Sequence, residues 1–377
     1  MQRRDASTAT TASAKEFIPL YRPSLKGREK DYVNQCIDSS WISSRGVFVE
    51  RFESAFGEFV GSRHATSVCN GTVALHLAME ALGLSAGDEV IVPALTYIAS
   101  VNTILQTGAA PVFVDSLEQT WQLDPDDVRR RITPRTKAVM AVHLYGYPCD
   151  MDELVAVCDE HGLYLIEDCA EAFGTYYKGR HAGTFGDVAT FSFFGNKTIT
   201  TGEGGMVVAR TKETLDRAFH LKTQAVSPDR EYWHDAVGYN YRMTNVCAAI
   251  GLAQLENPHT VIARKRQIAA WYKEELHGLP LTMLGEPVDG QSSFWMCSIV
   301  LHDPDARQDL RGWLKNDNVE TRPVFYPAHT LPHCKTHDRF PVAEMLSASG
   351  INLPSFPDLS HENVRSICSS IRAFFAR

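Results

Sequence analysis

The chain has 377 residues, room for two domains or one large domain with an appendage, which excludes a peptide hormone, a lone finger or a disulfide miniprotein. Hydrophobic residues make up 44% and charged residues 22%, as in ordinary globular proteins, so neither wholesale disorder nor a fibrous repeat fits. With 37 Lys and Arg against 45 Asp and Glu the formal charge is −8, which argues against nucleic acid or an anionic membrane as a partner and requires any anionic ligand to be held by local groups.

Residues 1–16 read as a flexible Ser/Thr/Ala leader without an apolar signal-peptide core, and no window is apolar enough for a membrane span. Nine cysteines without a CxxC pair suggest reduced thiols, hence a cytoplasmic protein. Order is expected from Phe17, with a helical pattern through Tyr32, Val33 and Cys36 and then a loop, WISSRG, at 41–46. From there to about residue 210, short apolar and β-branched runs alternate with helix-length segments. The strand candidates are EVIVP at 89–93, PVFVD at 111–115, AVMAVHL at 138–144, LYLIED at 163–168, VATFSF at 188–193 and GMVVA at 205–209. Between them TVALHLAMEALG, TYIASVNTILQTG, DPDDVRRRI and DMDELVAVCDEHG have helical spacing. This alternation predicts an α/β domain over 17–255 with a mostly parallel sheet covered on both faces. A smaller C-terminal α+β domain is expected over 256–377, with a strand at 294–302, a helix near 305–316 and a last helix opened by Ser360.

Three segments carry residues suited to chemistry. In CNGTVALHLAMEALG at 69–83, Asn-Gly-Thr closes a turn and starts a helix, whose free N–H groups suit a phosphate; alone, it reads more readily as an ordinary capped helix. In LIEDCAEAFG at 165–174, a strand ends in Glu167 and Asp168, at the sheet edge where ligands of open α/β sheets sit. Asp168 is placed either to pair with a protonated ring nitrogen, an attraction of roughly 5 kcal/mol at about 3 Å and an effective dielectric near 20, or to cap a helix. In FSFFGNKTITTGEGGMVV at 191–208, Lys197 has no acid near it in sequence, and burial there would free its amine for a Schiff base; the alternative is a surface-loop lysine. Together the three converge on an aromatic, phosphorylated aldehyde.

The ordered set CNGTVAL, DEVIVPALTYIAS, EDCAEAFG, SFFGNKTITTGEGG and GYNYRMTN resembles the DegT/DnrJ/EryC1/StrS family of fold-type I pyridoxal-phosphate enzymes, over about residues 18–370. The resemblance implies a pyridoxal 5'-phosphate enzyme that passes through the pyridoxamine form, moving an amino group from L-glutamate to C4 of a nucleotide-linked 4-keto-6-deoxy sugar, GDP-4-keto-6-deoxy-D-mannose in the members it is most similar to. It makes Lys197 the Schiff-base lysine and Asp168 the partner of the ring nitrogen. Glu171 is then near the phenolic oxygen, Gly71, Thr72 and Ser192 at the phosphate, and Tyr97 stacked on the ring. Asn240 would serve the phosphate site of a neighbouring subunit, implying a homodimer with shared active sites.

For the sugar nucleotide, Ser43, Ser44, Arg45, Arg242, Arg322, Tyr326 and His329 offer polar and cationic groups, each with a structural role as the alternative. No metal-ligand spacing is recognisable, so no metal is expected. Rival readings are an aminotransferase for a UDP- or dTDP-linked keto sugar, a sugar 3-dehydratase, against which Lys197 speaks, and a non-catalytic cofactor-binding regulator.

Overall fold

The computed structural model describes residues 16–62 and 64–377, so the expected leader lies, but for Glu16, outside the described residues. Two helices open the chain, α1 (Glu29–Asp38) and α2 (Val47–Val60). A seven-stranded sheet follows, built from β1 (Ala65–Val68), β2 (Glu89–Pro93), β3 (Ala110–Val114), β4 (Thr136–Val142) and β5 (Tyr164–Asp168), and, after a short hairpin of β6 (Tyr176–Tyr177) and β7 (Arg180–His181), from β8 (Val188–Ser192) and β9 (Gly205–Ala209). The strand order is β1-β9-β8-β5-β4-β2-β3, with β9 antiparallel to both its neighbours and the pairs from β8 to β3 parallel. The crossovers are α3 (Gly71–Leu82), α4 (Ala99–Gln106), α5 (Pro125–Arg131) and α6 (Met151–His161).

Strand side chains alternate between two cores, as the twofold period of a strand requires. Val90, Val92, Ala138, Met140 and Ile166 face the side covered by α3 and α4. Ile91, Val139, Ala141 and Leu165 face the opposite side, with α6. Both faces are therefore apolar, and the strands read as continuous hydrophobic runs.

Under β8 lies a phenylalanine cluster. Phe56 of α2 meets Phe191 edge-on at 4.9 Å and Phe193 at 5.4 Å, and Phe52 meets Phe193 at 5.2 Å. These rings hold the strand that ends beside Lys197. Phe56→Ala is expected to lower unfolding stability by about 3–5 kcal/mol, since a large cavity would open in a packed core; urea denaturation checks this, and a loss under ~1 kcal/mol would mean that the site collapses freely.

After α7 (Lys212–Lys222), α8 (Asn245–Leu255) packs on α1 and α2, and α9 (Pro258–Glu275) leads to a second, antiparallel sheet. Its strands are β10 (Leu281–Met283), β12 (Cys297–Leu301), β13 (Arg322–Pro323) and β14 (Gly350–Leu353), in the order β10-β12-β14-β13, while β11 (Gly290–Gln291) joins the small hairpin sheet. Helices α10 (Ala306–Asn316), α11 (Pro341–Ser349) and α12 (His361–Phe375) complete the chain, and Ser360 caps α12 through the Asn363 amide at 3.0 Å. The N-terminal Ile18 packs in this C-terminal core, bridged to Val319. Among the described residues no helix is long and apolar enough to cross a membrane.

Candidate active site

A cavity of about 1040 Å³ opens where the carboxyl ends of the parallel strands meet the N-terminus of α3 and the C-terminal sheet. Its floor is set by β5. The twofold period sends Glu167 and Asp168 to opposite faces, so only Asp168 turns into the cavity. Asp168 is buried, with Oδ2 accepting from Ser100 Oγ at 2.7 Å and Oδ1 from the Ala170 amide at 3.0 Å. Ser100, in the same LTYIAS stretch as Tyr97, is a site residue that sequence reasoning missed, and only its approach to Asp168 identifies it.

Glu167 on the other face accepts from the amides of Gly183, Phe185 and Gly186 at 2.6–2.7 Å and lies 3.1 Å from His143 Nε2. Because the Cys149 amide donates to His143 Nδ1 at 3.1 Å, the imidazole carries its proton on Nε2 and gives it to Glu167. His143, Glu167 and Cys169 are the one group of metal-type ligands brought together among the described residues, within 4.8 Å. The Glu167 carboxylate and His143 Nδ1 already accept from backbone amides, and burial holds the Cys169 thiol up at about 12, far from a ligating thiolate. This trio ties the 183–186 turn to the sheet.

Above Asp168, Asn70 caps α3 by accepting from the Val73 amide at 3.0 Å. Gly71, Thr72 and Ser192 line the cavity there. A Cβ on Gly71 would stand 2.7 Å from that of Ser192, so glycine permits the helix start and the end of β8 to close on one spot. This is a cradle of free amides and a hydroxyl at a positive helix end, suited to a phosphate.

Lys197 sits on the loop between β8 and β9. Its side chain is only 13% exposed, with Nζ 3.6 Å from Glu171 Oε1 and 3.9 Å from the centroid of the Trp295 ring. Burial pulls the lysine pKa down, against the opposing pull of Glu171 and Asp168, so that the amine is more available than that of a surface lysine. Burial pushes Glu171 up to about 7, with the Lys197 charge opposing, and its Oε2 accepts from the Tyr145 amide at 2.8 Å. A carboxyl raised in this way binds more protons folded than unfolded between pH 4.5 and about 7, so stability falls as pH rises through that window. Glu171→Gln should remove this slope, gaining on the order of 1–3 kcal/mol over wild type from the acid to the neutral end, read as melting temperature against pH. Parallel curves for the two proteins would contradict it.

Of the expected cofactor residues, Gly71, Thr72, Tyr97, Asp168, Glu171, Ser192 and Lys197 all line this cavity. Tyr97 is half exposed there, its ring 5.5 Å from that of Phe325. Of the expected sugar contacts, Arg322 and Tyr326 line it as well. Ser43, Ser44, Arg45, Asn240 and Arg242 stand outside the wall of the single chain. Asn240 is exposed and bridged to Thr223, and Arg242 is bridged to Val68, its Nε buried without a hydrogen-bond partner among the described residues. His329 does not line the cavity of the single chain either: it is buried against Phe113 and Phe340, with Nε2 3.3 Å from Glu344 Oε1. The acid that fixes it lies on α11, which local sequence around TRPVFYPAHTLP does not announce.

A mixed sheet with one reversed strand, a buried lysine on the loop leading into it and an acid at the end of the central strand define a large fold class of cofactor-dependent transferases. Within that class, the model of the DegT/DnrJ/EryC1/StrS aminotransferase family matches residues 23–372, and the chain belongs to that family. Among its relatives, the GDP-perosamine synthase of Escherichia coli O157:H7 is 56% identical over 362 residues, covering 96% of this chain and 99% of the relative. Among solved structures, the aminotransferase TlmJ from Streptoalloteichus hindustanus is 31% identical, with a TM-score of 0.92 over 96% of this chain and 99% of its own. DesI, solved in the presence of its TDP-sugar product, is 33% identical, with a TM-score of 0.89 over 97% and 94%.

Proposed function

We propose that the protein is a pyridoxal 5'-phosphate-dependent nucleotide-sugar aminotransferase that moves an amino group from L-glutamate to C4 of GDP-4-keto-6-deoxy-D-mannose, as a GDP-perosamine synthase. The observation that carries the reading is the sequestered amine of Lys197, held between Glu171 and the Trp295 ring within the same cavity as Asp168. The residues fit the cofactor. The α3 amides with Ser192 suit its phosphate, Asp168 its protonated ring nitrogen, Tyr97 its ring face and Glu171 its phenolic oxygen. When bound, pyridoxal 5'-phosphate supplies an electron sink and an aldehyde that alternately takes and gives up an amino group.

The chain's own residues do the rest. Lys197 carries the cofactor covalently at rest, and its amine, once freed, takes a proton at one carbon and returns it at another. Burial lowers the basicity of that amine, which favours the uncharged form a base needs. Asp168, fixed by Ser100 and the Ala170 amide, remains turned into the cavity throughout. Arg322 and Tyr326 at the rim supply a cation and a hydroxyl for the sugar nucleotide. We retain a homodimer as part of the reading, with Asn240 and Arg242 serving the partner's cavity, and a division of the chain near residue 255.

The test is incubation with glutamate and GDP-, UDP- and dTDP-linked 4-keto sugars, read by product mass. The GDP sugar is expected to be aminated in preference to the others. Preference for the dTDP sugar would support the second reading, which the TDP-sugar product of DesI favours. Absence of any aminated product would overturn the proposal.

A further inference from the structure

The loop that carries Lys197 is tied down at two successive carbonyls by residues remote in sequence. Trp295 Nε1 donates to Asn196 O at 2.7 Å, and the Tyr21 hydroxyl donates to Lys197 O at 2.6 Å. Both anchors meet one buried cation. Lys265 on α9 is fully buried; its Nζ donates to Trp295 O at 2.7 Å and to both the carbonyl and the hydroxyl of Ser355, and stands 5.1 Å from the Tyr21 ring centroid. Among the described residues no carboxylate lies within ion-pair distance of it. Burial pulls its pKa down to about 7, the signature of a charge kept from water at a cost. A methionine would fill the same space without that cost, so the three hydrogen bonds are what the lysine adds. One of them fixes the backbone of Trp295, whose ring covers Lys197 Nζ, and the other two fix Ser355.

We propose that Tyr21 and Trp295, keyed in place by Lys265, are positioning residues that hold the backbone at 196–197 rigid, so that the Lys197 amine moves by side-chain rotation alone. This rests on the reading that Lys197 carries the cofactor. The amine must leave and return to one spot in every half-reaction, and a loop free to drift would lose that registration. The two anchors come from opposite ends of the chain, Tyr21 from the N-terminal segment and Trp295 from the approach to β12.

Hydrogen exchange by mass spectrometry on the full chain, without cofactor, reads the clamp directly. Tyr21→Phe deletes one donor and keeps the ring, and Trp295→Phe deletes the other donor and keeps a smaller aromatic face. Each is expected to speed exchange at 194–201 about tenfold, and Lys265→Met about a hundredfold, with helices away from the loop unchanged. With pyridoxal phosphate, kcat should fall in the same order at unchanged KM, while borohydride still fixes the cofactor to Lys197. Wild-type exchange rates at 194–201 in both single-donor variants would overturn the proposal, as would acceleration spread evenly along α9 and β14. Should Lys265→Met not fold, the two single-donor variants decide it. A wild-type protein that borohydride does not label at Lys197 would instead sink the functional reading, and the exchange data would still judge the clamp.

Discussion

Lys197→Ala is expected to reduce turnover by about a thousandfold or more, because it removes both the covalent attachment and the group that moves the proton. Both half-reactions should fail together, since one amine serves each in opposite directions. The fold should survive, as Nζ has Glu171 as its only ion-pair partner among the described residues and otherwise rests on the Trp295 face. Cofactor is expected to remain bound, though no longer covalently, through the α3 cradle and Asp168. Single-turnover measurements with glutamate alone, and with the amine-loaded enzyme and keto sugar, separate the two halves. Turnover within tenfold of wild type would remove Lys197 from the chemistry.

Asp168→Asn should be nearly as severe, with kcat reduced by roughly a thousandfold. The substitution keeps the shape but leaves a neutral group where a protonated ring nitrogen needs an anion, forfeiting an attraction of several kcal/mol in a site of low effective dielectric. The asparagine can keep both neighbours, its oxygen accepting from the Ala170 amide and its NH2 donating to the Ser100 hydroxyl, so the loss reads the missing charge rather than a displaced side chain. Steady-state rates at full cofactor occupancy, with folding checked by circular dichroism, test this. A loss below tenfold would place the ring nitrogen elsewhere.

The sequence made the parallel core legible because its strands are buried on both faces and so are written as unbroken apolar runs. EVIVP at 89–93 and GMVVA at 205–209 match β2 and β9 end to end. β1 was not foreseen: ATSV at 65–68 is four residues long, half polar, and acquires its identity by pairing with β9. The fate of Ile18 was equally hidden, since a segment at the start of the chain packs with residues some three hundred positions on. In the site, Asp168, Glu171 and Lys197 lie in compact motifs with chemistry readable locally. Tyr21 and Trp295, which touch the lysine, and Tyr145, whose amide holds Glu171, lie in no such motif and are defined by distance alone. The surroundings of His329 were equally hidden, since the carboxylate beside its ring lies on α11, outside the motif that contains it.

The reversed direction of β9 has one further consequence. Since β8 and β9 remain paired up to Ser192 and Gly205, Lys197 rides on a short arc pinned at both feet. A base fastened so closely acts as though present at an effective molarity of roughly 10⁵ M or more, a level no dissolved alkylamine attains. Methylamine added to Lys197→Ala should therefore restore a rate that climbs linearly with its concentration and never nears saturation, so that solubility rather than affinity sets the ceiling of rescue.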